Sequence, residues 1–314
     1  MNIINDFVSI IMPLYNCEKH IDSAIRSILK QTHQNFELII IDDGSTDNSF
    51  NIIKSIKDER IIYKKKNHTG ISESLNLGIE LSKSNLIFRM DADDYSEKNR
   101  LEKQINFMNQ NPQVSLSGTF LKIFDDNNKF LSFKKLPLSN KFIKETIIYN
   151  SNIMHPTFCF RKKDIVKVGC YRKEFVYAQD YDLLLRLITQ NCILANIPEY
   201  LVSYRINKAN NLNKIYNQMR YTRLAKKLYF ERLNKKNESS KSKESIKQFK
   251  QLNKFDKLIF KLFLMANNKR ISNNFPKNLW ILLSYIISIF NYELFIALLN
   301  DFIYYFKIKY DQNR

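Results

Sequence analysis

Within the first ninety residues, four short runs of β-branched and aliphatic side chains alternate with segments of helical period. The runs are Phe7 to Leu14, Phe36 to Ile41, Ile61 to Lys65 and Leu86 to Met90. They lack the in/out alternation of a half-exposed strand, as strands do when helices cover both faces of their sheet. Between them, Ile21, Ala24, Ile25, Ile28 and Leu29 recur at helical spacing, with Asn16 placed to cap that helix. Thr46 or Asp47 opens a second helix to about Ile56, and Gly70 starts a third that ends near Lys83. Four strands alternating with three helices predict an α/β domain with a mostly parallel sheet. Such a sheet binds ligands beyond the carboxyl ends of its strands.

After Met90 the rhythm changes. Asn99 to Asn109 reads as a helix. Val114 to Phe124 and Lys129 to Lys135 read as strands around the turn Asp125-Asp126-Asn127-Asn128. His155 to Arg161 reads as a further strand. Gln179 to Gln190 reads as a helix with Leu183, Leu184, Leu187 and Ile188 on one face. From about residue 207 strand signals vanish. The stretch 214–266 is basic and helical in pattern, broken by the polar segment Asn234 to Ser245, and Leu279 to Tyr305 is strongly apolar. No internal repeat is visible.

The 314 residues are 44% hydrophobic and 26% charged, enough to bury a core. Five glycines exclude a collagen-like chain, and Cys17, Cys159, Cys170 and Cys192 lack the spacing of a disulfide framework or zinc ribbon. Reduced thiols and a cytoplasmic setting are the expectation, with no signal peptide in the first residues. The net charge of +19 is uneven: residues 206–314 hold 22 Lys and Arg against 7 Asp and Glu. That basic third reads as a solvated helical face or as a surface for anionic lipid or nucleic acid. Nucleic acid is the weaker reading, because the aromatics there sit among long aliphatics and form no evident stacking platform. Asn291 and Glu293 interrupt the apolar run Leu279 to Leu299. Amphipathic or buried helices are therefore expected over a membrane span. They would lie on the inner face of the membrane, or pack on the domain or in an oligomer.

Two acidic clusters fall at strand ends: Asp42-Asp43-Gly44-Ser45 after the second strand and Asp91-Ala92-Asp93-Asp94 after the fourth. Each could be a capped turn. An EF-hand is excluded for the second, because Tyr95 and Ser96 stand where a ligand and a glycine are needed. Asp-x-Asp on a tight turn suits a hard cation that also holds phosphate oxygens.

The segments VSIIMPLYN at 8–16, Glu37 to Asp47, Arg89 to Asp94, His155-Pro156-Thr157, Val168 to Tyr171, Gln179 to Leu183 and Tyr204-Arg205 together resemble family 2 glycosyltransferases of the GT-A fold. The resemblance spans about residues 6–207, so residues 1–207 read as a GT-A domain and 208–314 as a basic, largely helical extension. It implies an inverting transfer of sugar from a nucleoside diphosphate sugar, a UDP-sugar first of all, to a hydroxyl of a glycan or lipid-linked acceptor in bacterial surface polysaccharide synthesis. A non-catalytic sugar-binding relic of the fold is the alternative. By the same resemblance, Pro13, Tyr15 and Asn16 follow the first strand at the nucleotide pocket. Asp42 and Asp43 bind base and ribose. Asp91 and Asp93 hold Mg²⁺ or Mn²⁺ on the diphosphate, with Asp94 supporting it or touching the sugar, and Arg89 meets phosphate or orients Asp91. Asp180 matches the catalytic base, preceded by Gln179 where the family usually has Glu. Its place at a helix start should favour the ionised form. His155 matches the family's His-Pro pair as a wall of the site or a structural hydrogen-bonder. Arg205 reads either as a clamp on donor phosphates or as an exposed strand end.

Overall fold

The computed structural model describes residues 6–206 and 212–235. The apolar run Leu279 to Tyr305 and most of the basic stretch before it lie outside the described residues.

The four opening strands are β1 (Val8–Leu14), β2 (Phe36–Asp42), β3 (Ile61–Lys65) and β4 (Leu86–Arg89), with helices α1 (Ile21–Leu29), α2 (Ser49–Ser55) and α3 (Ile71–Leu81) between them. All four strands run parallel in the order β3-β2-β1-β4. β1 therefore has its chain successor on one side and β4 on the other, which makes its carboxyl end a topological switch point. Alternate residues of β1 are buried on opposite faces. Ile10 and Met12 pack in one cluster with Ala24, Ile25 and Ile28 of α1. Ile11 packs in the other with Leu75 and Ile79 of α3. Two covered faces explain the unbroken apolar runs.

The second half turns the sheet mixed. After β5 (Tyr95–Ser96) and α4 (Arg100–Gln110) come β6 (Val114–Asp125), β7 (Phe130–Lys134), α5 (Asn140–Thr146), β8 (Cys159–Arg161), α6 (Lys162–Lys167), α7 (Gln179–Thr189), β9 (Ile193–Ile206) and α8 (Leu212–Lys235). β8 lies antiparallel between β4 and β6, β9 runs parallel to β6, and β7 pairs β6 as a hairpin. Leu224, Ala225, Leu228 and Tyr229 of α8 are buried in the same cluster as Leu184 and Leu187 of α7. The first helix of the C-terminal extension is thus part of the main core.

Four local readings differ from expectation. The strand read over His155 to Arg161 begins only at Cys159, because β8 is an interior strand and Pro156 cannot donate to a ladder; His155–Thr157 is a 3₁₀ turn instead. Asn16 caps no helix. It adopts φ 51° and its Oδ1 accepts the Thr46 amide at 2.9 Å, tying the loop after β1 to the loop after β2. α2 opens at Ser49, after Asp47 has bonded the Ser49 amide at 3.1 Å and the Glu18 amide at 2.9 Å. Pro13 lies inside β1 rather than after it, opposite Ile41, beyond the point where β4 stops pairing.

Candidate active site

β4 delivers an arginine and three carboxylates to the switch point. Arg89, the last residue of β4, is 2% exposed and chelates Asp91 with both terminal nitrogens, one of them 2.5 Å from Oδ2. A second buried arginine, Arg100, donates to the Arg89 carbonyl at 2.8 Å. Oxygens of Asp91, Asp93 and Asp94 lie within 4.8 Å of one another. Burial and then the Asp91 charge push the Asp93 carboxyl up to about 6. Burial, with Asp91 and Asp93 beside it, raises Asp94 well above the ordinary range. Asp94 Oδ1 accepts the Arg205 amide at 2.8 Å, while its buried Oδ2 has no hydrogen-bond partner. Three crowded carboxylates and an orphaned buried oxygen form a donor set that fits a hard divalent cation.

Arg205 is neither an exposed strand end nor free of the turn. Near the end of β9, it donates from Nε to the Asp93 carbonyl at 3.0 Å and from Nη1 to the Asp125 carbonyl at 3.1 Å. It braces the acidic turn through both main chain and side chain.

The loops after β1 and β2 form a second wall. Tyr15 is 46% exposed, and its ring lies 4.2 Å from that of His68 at 30°. His68 escaped the sequence reading, since a lone histidine in a polar loop carries no pattern. Asp42 is fully buried and occupied on both oxygens: Oδ1 accepts the Ser45 amide at 2.7 Å and Oδ2 the Tyr63 hydroxyl at 2.5 Å. It shapes the turn through these two bonds. Asp43 accepts the amides of Thr69 at 3.0 Å and Gly70 at 2.9 Å, together with Lys66. Burial acts to raise its proton affinity, but Lys66 and the two amides outweigh it and hold the carboxyl below the usual range. Cys17 joins the two walls: burial and then Asp93 push its thiol up to about 12.

Asp180 stands at the start of α7, immediately after Gln179. The residue before that, Ala178, adopts φ 53°, a left-handed backbone that costs a non-glycine about 1–2 kcal/mol and aims the helix start. Asp180 lines a pocket of about 200 Å³ with Tyr149, Asn150, Ser151, Tyr181, Gln218 and Thr222. Gln218 and Thr222 come from α8, which the sequence assigned to the extension. Contrary to the helix-start expectation, the Asp180 carboxyl is raised. Desolvation outweighs the amide of Tyr181 and the charge of Arg89. His155 is buried, its Nε2 2.9 Å from the Tyr171 hydroxyl. Burial, with Arg89 nearby, keeps its ring neutral. In the fold it is the buried hydrogen-bonding partner of Tyr171.

A family model described as glycosyl transferase family 2 matches residues 9–169. The chain belongs to this family. The matched span takes in Tyr15, both aspartate turns and His155, and stops before Asp180. Among curated relatives of this glycosyltransferase, the O-antigen biosynthesis glycosyltransferase WbnJ of Escherichia coli is 36% identical over 209 residues, covering 64% of this chain and 80% of the relative. The UDP-Gal:alpha-D-GlcNAc-diphosphoundecaprenol beta-1,3-galactosyltransferase of Escherichia coli is 30% identical over 214 residues, covering 64% and 74%. Among solved structures, S. aureus TarS 1-349 in complex with UDP aligns with a TM-score of 0.55 at 18% identity, covering 98% of this chain and 92% of that one. That likeness carries the GT-A fold.

Proposed function

We propose that this glycosyltransferase moves a sugar, with inversion, from a nucleoside diphosphate sugar to a hydroxyl of a glycan or lipid-linked acceptor in bacterial surface polysaccharide synthesis. The observation that carries the reading is the cluster of Asp91, Asp93 and Asp94 beside the buried Arg89, whose charge also reaches Asp180. The named relatives, one on O-antigen and one on a diphosphoundecaprenol-linked sugar, support the acceptor class. The UDP-bound neighbour supports UDP as the nucleotide.

Asp93, Asp91 and Asp94 would hold a Mg²⁺ or Mn²⁺ ion, which when bound neutralises the charge on a diphosphate leaving group. Arg89 holds Asp91 in place for that role. The exposed Tyr15 ring offers a face to a nucleobase. Asp43, held by Lys66, His68 and the amides of Thr69 and Gly70, fixes the loop 66–70 beside it and so shapes the wall that would meet the ribose. Asp180, in its pocket, takes the proton from the acceptor hydroxyl as the oxygen attacks the anomeric carbon from the side opposite the diphosphate. A positioned base contributes about 10²–10⁴-fold. Residues 1–207, completed by α8, form the transferase domain. The extension 208–314, docked through α8, carries its basic charge to the inner face of the membrane. The test is a panel of nucleotide-sugars with Mg²⁺ or Mn²⁺, scored for release of nucleoside diphosphate. Turnover of one donor, lost in EDTA, is expected. No turnover of any donor, with steeply salt-dependent RNA binding, would overturn the reading.

A further inference from the structure

The β6–β7 hairpin carries a row of aromatic rings on its outer face. Phe124 pairs with Phe130, Ile123 with Ser132 and Lys122 with Phe133, with a register slip between Ile123 and Phe124. The slip leaves Leu131 as the extra residue of a β-bulge. Phe130 and Phe133 are three positions apart and would point to opposite sides of a regular strand. The bulge puts both on the side of Phe124 and Lys122. Ring centroids run Phe124–Phe130 5.7 Å, Phe130–Phe133 4.8 Å and Phe133–Tyr200 4.7 Å, with Phe120–Tyr200 5.4 Å beyond. Phe130 is 43% exposed and Phe133 59%. On β9 the same side carries Arg205, opposite Phe124. Arg205 reaches the acidic turn at Asp93. The aromatic row therefore begins at the edge of the candidate active site and runs away from it.

We infer that this face is where the protein meets an anionic membrane surface. Among the described residues β7 pairs only with β6 and forms an edge, and exposed rings on an edge mark a contact surface. The charges beside them select the occupant. Lys129 sits in the hairpin turn and the exposed Lys135 just past β7, against one exposed carboxylate, Asp126; Lys134 pairs with the buried Leu121 on the opposite side of the sheet. Lys122 on the aromatic face is paired with Glu97 at 2.9 Å, and Asp125 is buried, with Oδ1 accepting the Asn127 and Lys129 amides. Phenylalanine bordered by lysine is the composition of an interfacial lipid contact. Resting there, the molecule presents its acidic turn to an acceptor borne in the lipid plane. The inference rests on the proposed reading only for that consequence, since membrane contact is read without turnover.

Trp280 is the single tryptophan. A full-length Trp280→Phe/Phe133→Trp variant thus reports from the hairpin, and Trp280→Phe/Val166→Trp reports from an exposed position on α6, whose native Val166 is 52% exposed. With phosphatidylglycerol vesicles, the hairpin reporter should shift to shorter wavelength and be quenched by brominated acyl chains. Both effects should weaken with salt and be absent on phosphatidylcholine, while the α6 reporter stays unchanged. A hairpin reporter that does not respond while the protein sediments with vesicles overturns the inference, whether or not donor turnover is present. A blue shift already present without vesicles also overturns it. Dependence on protein concentration would then assign the face to a second copy, and independence to another part of this chain.

Discussion

As the proposed base, Asp180 must lose its proton before it can accept one, and its burial raises the pH at which that happens. The raised value places the acid limb of kcat/KM above that of a free aspartate, with activity falling as pH drops through it. Asp180→Asn should lower kcat by about 10²-fold or more and abolish that limb, while calorimetry finds nucleoside diphosphate affinity retained. Asp93 obeys the same sign. Its folded-state carboxyl binds the proton more tightly than an unfolded one, so its contribution to stability falls as pH rises from about 4 to about 6. A divalent cation competes with that proton. Mn²⁺ should therefore raise the melting temperature more at pH 7 than at pH 5, and Asp93→Ala should remove both the metal increment and metal-dependent turnover. Asp93 was legible in the sequence because it sits just past a buried strand, and Asp180 because the segment Gln179 to Leu183 resembles the family's motif. Their protonation was not, because it depends on Arg89, on Asp91 and on how much water reaches them.

The elements position these residues through tight local contacts. Gly78 of α3 faces β1 so closely that a Cβ there would lie 2.4 Å from Ile11 Cγ2. In an exposed helix Gly→Ala stabilises by about 1 kcal/mol. Here the clash reverses the sign, and Gly78→Ala should lower stability by about 1–3 kcal/mol in urea titration. The loop from Lys66 to Gly70 is held by Asp43, so Asp43→Ala should weaken nucleoside diphosphate binding by about 1–3 kcal/mol as its amide partners lose their acceptor. Unchanged affinity by calorimetry would remove Asp43 from the pocket. β1 to β4 could be read because both of their faces are buried and the pattern is local. β9 could not. Pro198 reads as a strand breaker, and only the ladder with β6, which skips from Ile197 to Tyr200 in register, carries the strand past it. The 3₁₀ turn at His155 depends likewise on β8 having neighbours on both sides.

The described fold closes around α8, whose buried residues share a core with α7 although the sequence pattern placed a domain boundary at 207 between them. A chain ending at residue 235 keeps Leu224, Leu228 and Tyr229 in place. One ending at about 210 loses them, at about 1.5–3 kcal/mol for each large side chain, against a total stability of about 5–15 kcal/mol. The chain ending at 235 should melt well above the one ending at about 210 and retain donor hydrolysis. The shorter should lose it, since Gln218 and Thr222 of the Asp180 pocket go with the truncated part. The sequence contains the parallel half of the sheet, the carboxylate turns and the family, because strand patterning and turn chemistry are set by residues within a few positions of one another. Folding adds the brace of Arg205 on the acidic turn, the completion of the Asp180 pocket by α8 and the raised proton affinities of Asp93 and Asp180. Each of these arises between side chains distant in sequence, where burial and neighbouring charge, not local pattern, set the energy.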